Sequence, residues 1–125
     1  MKEEILTKDA PEPIGPYSQA IRTGNLIFLS GVIPIDPETG KVIKGDIKQA
    51  TEQVFKNASA ILKTAGASLE NVVKVTVFLR DLRNFEEMNK VYSSWFKKPY
   101  PARTTVQVEA LPKEVDIEID FIAEI

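Results

Sequence analysis

The sequence predicts an α+β domain in which two helices pack on one face of a mixed β-sheet. Strand-like runs occur near both ends and in the middle of the chain, and two amphipathic segments separate them in the order ββαβαββ. The chain length is consistent with one domain of this class, because 125 residues with 43% hydrophobic content can form one hydrophobic core but are too few for two. We therefore interpret residues 1–125 as a single domain.

Two short runs near the N-terminus predict a β-hairpin. They cover residues 19–23 and 26–30, and Gly24 and Asn25 join them as expected of a tight turn with positive φ. The following stretch, residues 34–45, contains PIDPETG and ends in KG. Proline and glycine interrupt regular structure, so this stretch is predicted to be a turn-rich loop.

An amphipathic helix is predicted from Asp46, as its N-cap, to Gly66, as its C-terminal stop. Apolar residues recur along one face at spacings of three and four, and they are Ile47, Ala50, Val54, Phe55, Ala58, Ile61, Leu62 and Ala65. Residues 72–79, VVKVTVFL, are rich in β-branched side chains and predict an inner strand. Alternation would place Val73, Val75, Val77 and Leu79 on one face of it.

A second helix is predicted after this inner strand. Its aromatic and apolar residues fall on one face at spacings of three and four, and they are Phe85, Met88, Tyr92, Trp95 and Phe96. A stripe of this kind is more typical of packing against a sheet than of a ligand-binding box. We therefore interpret it as core packing.

Two more strands are predicted at the end of the chain, over residues 103–110 and 115–123, with a turn at LPKE between them. In the second, apolar and acidic side chains alternate from Val115 to Phe121. We interpret the pair as a hairpin. Because both helices would cover one face of the sheet, the other face stays open, which predicts self-association into a closed cyclic oligomer.

The composition restricts the chemistry. Histidine and cysteine are both absent, and most zinc, haem and iron–sulfur sites, thiolate nucleophiles and Ser-His-Asp relays need one or both. No Asp-rich loop has EF-hand spacing, and no GxxxxGK[ST] phosphate loop occurs. We predict no metal and no organic cofactor, which leaves carboxylates, Arg, Lys, Tyr, Ser, Thr, backbone groups and water.

Charge and hydropathy argue against two classes of partner. Sixteen basic and eighteen acidic residues are mixed along the chain, and the only adjacent basic pair, Lys97 and Lys98, is interpreted as a solvated helix end. No clustered basic surface of the kind that binds nucleic acid is predicted. No apolar run approaches the roughly 18 residues of a membrane span, and no export signal is visible. We expect a cytoplasmic protein.

Glu118 and Arg103 are the first candidates for a functional role. Glu118 shares a strand face with Asp116 and Asp120, which is typical of a solvated face, although three carboxylates repel one another unless a cation lies near. Arg103, on the preceding strand, is the obvious cation if the register permits. It follows Pro101, so a guanidinium on a rigid strand could bind a ligand carboxylate through two hydrogen bonds or could form a structural ion pair.

Weaker signals come from the N-terminal half. Gly15, Pro16 and Tyr17 form a rigid loop that presents a phenol, and Ser30 with Gly31 ends a strand where a free backbone N–H could face a ligand. Such residues also populate ordinary turns, so neither signal stands alone.

Motifs spread over the whole chain resemble the RidA (YjgF) family of enamine and imine deaminases. In order, they are GPYSQA at 15–20, SGVIPIDPETG at 30–40, VVKVTVFLRD and FEEMNKVY within 72–92, PARTTVQV at 101–108 and LPKEVDIEID at 111–120. Together these motifs are specific, whereas none is specific alone. The resemblance implies a chorismate-mutase-like α+β fold, a homotrimer with ligand clefts between subunits, and hydrolysis of short 2-imino acids to 2-keto acids.

The resemblance also implies roles for individual residues. It makes Arg103 the carboxylate-binding arginine, Glu118 the residue that orients and deprotonates water, and Tyr17 a third catalytic residue. The implied substrate-binding residues are Ser30, Gly31, Asn89 and Thr105. Many family members have cysteine where this chain has Thr105, which removes thiol chemistry but leaves a hydroxyl in the cleft.

Two other functions stay open. A non-catalytic module could use the same cleft to bind a small carboxylate or keto acid. Inhibition of translation by RNA cleavage has also been ascribed to this family. This chain, however, has neither a predicted basic groove nor a histidine for acid–base transfer.

Overall fold

The computed structural model describes all 125 residues and contains one six-stranded sheet and two α-helices. The strands are β1 (Glu3–Ile5), β2 (Ala20–Thr23), β3 (Leu26–Val32), β4 (Val72–Leu79), β5 (Ala102–Gln107) and β6 (Ile117–Glu124), and the helices are α1 (Ile47–Thr64) and α2 (Phe85–Trp95). The strand order is β1-β2-β3-β6-β4-β5, and only β4 and β5 are parallel. The predicted α+β class with a mixed sheet is confirmed.

Local signals set most of the element boundaries. Thr23 pairs with Leu26 in the predicted hairpin, and Gly24 has a φ of 57°. The Asp46 side chain accepts a hydrogen bond from the Gln49 N–H at 3.1 Å and caps α1, which ends shortly before Gly66. The short strand β1 was not predicted, because three residues are too few to show a period.

The inner strand β4 has the predicted bounds but not the predicted face at its start. Its register with β6 shifts between Val72 and Lys74, so that Val72 is buried and Val73 is 46% exposed. A bulge adds one residue to a strand, and a shift of one residue reverses which side chains face the core. From Val75 onward the alternation is as predicted.

The predicted C-terminal hairpin is wrong. β5 is an edge strand that pairs with β4 alone, whereas β6 lies between β3 and β4. The chain between them therefore crosses the end of β4 through a turn that includes Pro112–Glu114. Every second residue of β6 is fully buried, which explains its position in the middle of the sheet. At an edge of the sheet these side chains would be more exposed.

The core lies between the helices and one face of the sheet. At its centre, the ring of Phe55 in α1 contacts Tyr92, Trp95, Phe96 and Phe121 at centroid distances of 5.5 to 5.9 Å. The predicted packing of the aromatic stripe is thus confirmed for these rings. The other sheet face has no helix over it, and Phe28 and Val106 are 38% and 36% exposed there. Neither helix has the length and apolarity needed to cross a membrane.

Candidate active site

A cleft of about 310 Å³ lies beside β3 and β6 and contains four of the predicted site residues. Its lining consists of Ile14, Tyr17, Ser30, Gly31, Ile33, Pro112 and Glu118. The lining residues come mainly from three segments that are far apart in sequence, namely the N-terminal loop, the end of β3 and the start of β6. The cleft has the size of a small-molecule site and joins an apolar wall to a few polar groups.

Glu118 is the ionisable group of this cleft. Its neighbours Ile117 and Ile119 are fully buried in the core, so the carboxylate projects from the open face of the sheet. Partial burial raises the pKa of Glu118, and the nearby charge of Asp120 raises it further. Neither of the chain's two ion pairs involves it. The side chain is therefore an unpaired carboxylate that is more basic than usual.

Gly31 lets this carboxylate lie directly against the backbone of β3. A Cβ atom on Gly31 would lie 2.7 Å from Cδ of Glu118 and would overlap its carboxylate oxygen. Glycine is thus needed here for close approach of a side chain. The sequence had indicated Gly31 for a different reason, a free N–H at the end of a strand.

Hydrogen bonds hold the loop that carries Tyr17. The Ser30 hydroxyl donates to the Ser18 carbonyl at 2.6 Å, so its proton is already used and the side chain anchors this loop to β3. The backbone N–H of Ile14 donates to the Tyr17 hydroxyl at 3.2 Å. Tyr17 is 47% exposed, and its own hydroxyl proton has no acceptor within the chain. Tyr17 can therefore donate a hydrogen bond to a ligand in the cleft.

Arg103 belongs to a second cluster, between β5 and α2. Its Nη1 donates to Oδ1 of Asn89 at 2.7 Å. Its Cζ lies 4.6 Å from the ring centroid of Tyr92 and 5.5 Å from that of Phe85. No carboxylate forms an ion pair with it. A partly buried guanidinium without a counter-charge is able to bind an anion.

Two hydroxyl groups beside Arg103 have no hydrogen-bond partner. They are Oγ1 of Thr105, on the same face of β5, and the hydroxyl of Tyr92, and both are buried. Buried polar groups are nearly always bonded, so each of these two exceptions needs an explanation, and a role in the site is one. Asn89 and Thr105 are thus next to Arg103, as the family resemblance implies, while Asn89 is already bonded to the guanidinium.

The two clusters lie on opposite faces of the sheet. Arg103 pairs with the buried Val75 and faces the helices, whereas Glu118 pairs with Phe78 and faces the open side. Strand β4 also separates their strands. The strand register therefore does not bring Arg103 close to the acidic strand face within one chain.

Sequence reasoning missed the aromatic partners of Arg103. Phe85, Asn89 and Tyr92 are spaced by four and three residues and so share one face of α2. The spacing was visible, but the stripe was assigned wholly to packing. No group of His, Cys, Asp and Glu side chains is arranged to hold a metal ion.

Fold and site together define a small α+β protein with a partly buried arginine that has no carboxylate partner on one sheet face, and a glutamate of raised pKa in a cleft on the other face. Residues 7–125 match the protein family described as endoribonuclease L-PSP. A RutC family protein of Pyrococcus abyssi is 60% identical over 122 residues, which cover 98% of this chain and 96% of that protein. A 2-iminobutanoate/2-iminopropanoate deaminase of Dermatophagoides farinae is 42% identical, with coverage of 97% and 94%.

Among solved structures, RidA from an Antarctic Psychrobacter has a TM-score of 0.95 at 46% identity, covering 98% of this chain and 99% of that one. The chain therefore belongs to the RidA/YjgF/RutC family. The resemblance drawn from the motifs is confirmed. At the level of the family, deamination of small imines is supported by the names of some relatives, while others carry only the family name.

Proposed function

We propose that this protein hydrolyses short 2-imino acids to 2-keto acids and ammonia. The observation that carries the proposal is the Arg103 guanidinium, which is partly buried and has no carboxylate partner. Such a group suits the carboxylate that every 2-imino acid bears. The substrates would be the unstable imines that pyridoxal-phosphate-dependent dehydratases release, and the activity would be cytoplasmic.

The active site is proposed to form between two copies of the chain. Arg103 and Glu118 lie on opposite sheet faces, so both can reach one small ligand only if they come from different subunits. The open sheet face, with its exposed Phe28 and Val106, offers an apolar surface for that contact. The family resemblance favours three copies around a closed axis, and we infer a homotrimer.

In the proposed reaction, Arg103 binds the substrate carboxylate and fixes the position of the imine carbon. Glu118 of the neighbouring copy takes a proton from water as the water oxygen bonds to that carbon. Glu118 then passes this proton to the amino nitrogen of the tetrahedral intermediate formed from the protonated imine. The C–N bond breaks as ammonia leaves, and the carbonyl of the 2-keto acid forms as the new hydroxyl group loses its proton to solvent. Tyr17, whose hydroxyl proton is free, and the backbone near Gly31 orient the departing nitrogen.

The electrostatics of Glu118 fit the role of base. Burial and Asp120 raise its pKa, so the carboxylate accepts a proton more readily than a solvated glutamate does. An iminium carbon is already electrophilic, and the required base strength is therefore modest.

Ammonia release from freshly generated 2-iminobutanoate tests the proposal. The expected result is a rate clearly above spontaneous hydrolysis for the wild-type protein and a rate near the spontaneous one for Arg103→Ala. A wild type that binds 2-oxobutanoate without accelerating ammonia release would be a binding module. Absence of both binding and acceleration would contradict the proposed function altogether.

RNA cleavage is the second candidate, because the description of the family names an endoribonuclease. The same preparations should therefore be incubated with single-stranded RNA. Cleavage that persists through further purification and is lost in Arg103→Ala or Glu118→Gln would favour this second function.

A further inference from the structure

We propose that Tyr92 is a positioning residue whose ring holds the Arg103 guanidinium in place for the substrate carboxylate. This inference rests on the proposed function, since it gives Arg103 a ligand. Nothing in the family motifs assigns Tyr92 a role, and the sequence alone places it in the packing stripe of α2. Its contacts assign it a second role.

The guanidinium lies on a support built by one face of α2. Cζ of Arg103 is 4.6 Å from the Tyr92 centroid and 5.5 Å from the Phe85 centroid, both within the roughly 6 Å range of a cation–π contact. Asn89, between them on the helix, accepts from Nη1 at 2.7 Å. The three side chains together determine the height and the orientation of the guanidinium plane.

The ring of Tyr92 is itself fixed by the core. Tyr92 is 6% exposed, and its ring contacts Phe55 at 5.7 Å and Phe96 at 4.9 Å between centroids. Long arginine side chains lose considerable rotamer freedom when they are held in one geometry. Because the support is part of the packed core, Arg103 is ordered before a ligand arrives.

An aromatic support leaves the guanidinium free to bind. A carboxylate partner would neutralise the charge and occupy the donors that a substrate needs, whereas a ring face attracts the cation without accepting its in-plane N–H groups. Asn89 is the only acceptor bonded to Arg103 within the chain, so Nε and Nη2 keep their donors. Two parallel hydrogen bonds to a carboxylate are therefore still possible.

The aromatic ring of Tyr92, and not its hydroxyl, is inferred to hold the Arg103 guanidinium. The Tyr92 hydroxyl is buried and has no hydrogen-bond partner. Burial raises the pKa of Tyr92, and Arg103 partly offsets this through its charge and through the closeness of its guanidinium to the phenol oxygen, which does not reach hydrogen-bond geometry. The phenol is therefore neutral at physiological pH. Removing the oxygen should cost little, while removing the ring should release Arg103.

The test compares Tyr92→Leu with Tyr92→Phe, and uses Phe96→Leu as the matched control. Phe96 packs on the same Phe55 and Tyr92 rings but makes no cation–π contact with Arg103. Calorimetric titration with 2-oxobutanoate should show binding weakened roughly 2- to 30-fold in Tyr92→Leu, as expected for loss of a cation–π contact. Tyr92→Phe should bind within about 2-fold of wild type, and Phe96→Leu should lose stability without losing affinity.

Kinetics should show the same split, with KM for 2-iminobutanoate rising in Tyr92→Leu while kcat changes much less. If Tyr92→Leu does not fold, Phe85→Leu removes the outer ring of the support and should weaken binding in the same direction. Equal affinity in the ring-deleted and wild-type proteins would overturn the inference. So would an equal loss in Phe96→Leu, or a loss in Tyr92→Phe as large as in Tyr92→Leu.

A double-mutant cycle separates this inference from the proposed function. Unfolding by denaturant is measured for Arg103→Met, Tyr92→Leu and the double variant, which reports the contact between arginine and ring without any ligand. A coupling is expected, and its absence would overturn the support role. If the wild type binds no 2-oxobutanoate, the proposed function fails, and the cycle alone then decides whether Tyr92 holds Arg103.

Discussion

The carboxylate of Glu118 projects from a strand whose adjacent side chains are fully buried. Its pKa is raised in the folded protein, which means that the folded state binds the proton more tightly than the unfolded chain does. The stabilising effect is therefore complete below the ordinary pKa of glutamate and is lost as pH rises through the raised value. At neutral pH the ionised Glu118 reduces stability, as is common for groups kept for function.

Glu118→Gln should lower turnover by roughly 100- to 10,000-fold, because it keeps the shape and removes the base. Its melting temperature at pH 7 should equal or exceed that of the wild type, and this advantage should shrink below pH 4.5, the ordinary pKa of the group. Ammonia release and thermal melting at both pH values check this. Unchanged turnover would mean that Glu118 is only part of a solvated strand face.

Arg103→Lys should lose most activity although the charge is retained. An ammonium cannot form the two parallel hydrogen bonds of a guanidinium and stacks less well over the Tyr92 ring. Steady-state kinetics with 2-iminobutanoate should show the loss mainly in kcat/KM. A lysine variant that turns over like the wild type would make Arg103 a structural residue.

At the scale of elements, the contact between β3 and β6 brings the cleft together. The register of these strands shifts between Leu29 and Val32, next to the point where Gly31 meets Glu118. This irregularity changes the direction of the backbone at the end of β3, as bulges near active sites often do. Strand β6 then places the carboxylates of Glu118 and Asp120, two residues apart, on the same face.

Gly31→Ala should displace the Glu118 carboxylate and lower turnover at least about 10-fold. The free energy of unfolding should change by less than about 1 kcal/mol, because the flexible Glu118 side chain can move away from the added methyl group. The double variant Gly31→Ala/Glu118→Gln should then be no slower than Glu118→Gln alone. Turnover of the three variants checks this. If Gly31 acted independently of Glu118, the losses of the two single variants would add in the double variant.

Asp120→Asn should shift the acid limb of the pH profile of kcat/KM to lower pH. Removing this charge lowers the pKa of Glu118, although burial, the larger cause, still holds it above its usual value. Lys74, the cation on the facing strand β4, is bonded to Thr104 at 2.9 Å and stays in place. A pH profile identical to that of the wild type would show that Asp120 does not act on the catalytic group.

At the scale of the whole molecule, a single chain contains both halves of the proposed site but cannot bring them together. The helices cover the face that carries Arg103, and the cleft of Glu118 opens on the other face. Assembly is therefore a requirement of the proposed chemistry and not only of stability.

Two inactive variants should consequently restore each other. When Arg103→Ala and Glu118→Gln are unfolded together in equal amounts and refolded, about one quarter of the sites in a randomly mixed trimer would combine an intact Arg103 with an intact Glu118. About one quarter of wild-type activity is therefore expected, and light scattering should report a trimer. A monomer at micromolar concentration, or mixtures that remain inactive, would rule out the shared site.

Local patterns were enough to predict much of the fold. The cap at Asp46, the period of α1 and the alternation in β6 each depend on residues a few positions apart, so they are readable along the chain. The bulge at Val72 was not readable, because the alternation continues through it in sequence. Gly31 and Glu118 were both indicated, but their contact depends on a strand pairing across many residues.

The sequence by itself determined the class of fold, the family, and the residue types available for chemistry, because periodicity, motifs and composition are local properties. The tertiary structure alone decided that β6 lies between β3 and β4, that Arg103 and Glu118 face opposite sides, and that Tyr92 supports the guanidinium. Backbone hydrogen bonds between strands are the same whichever residues they join. Pairing is therefore settled by which arrangement buries the apolar faces of the whole chain at once.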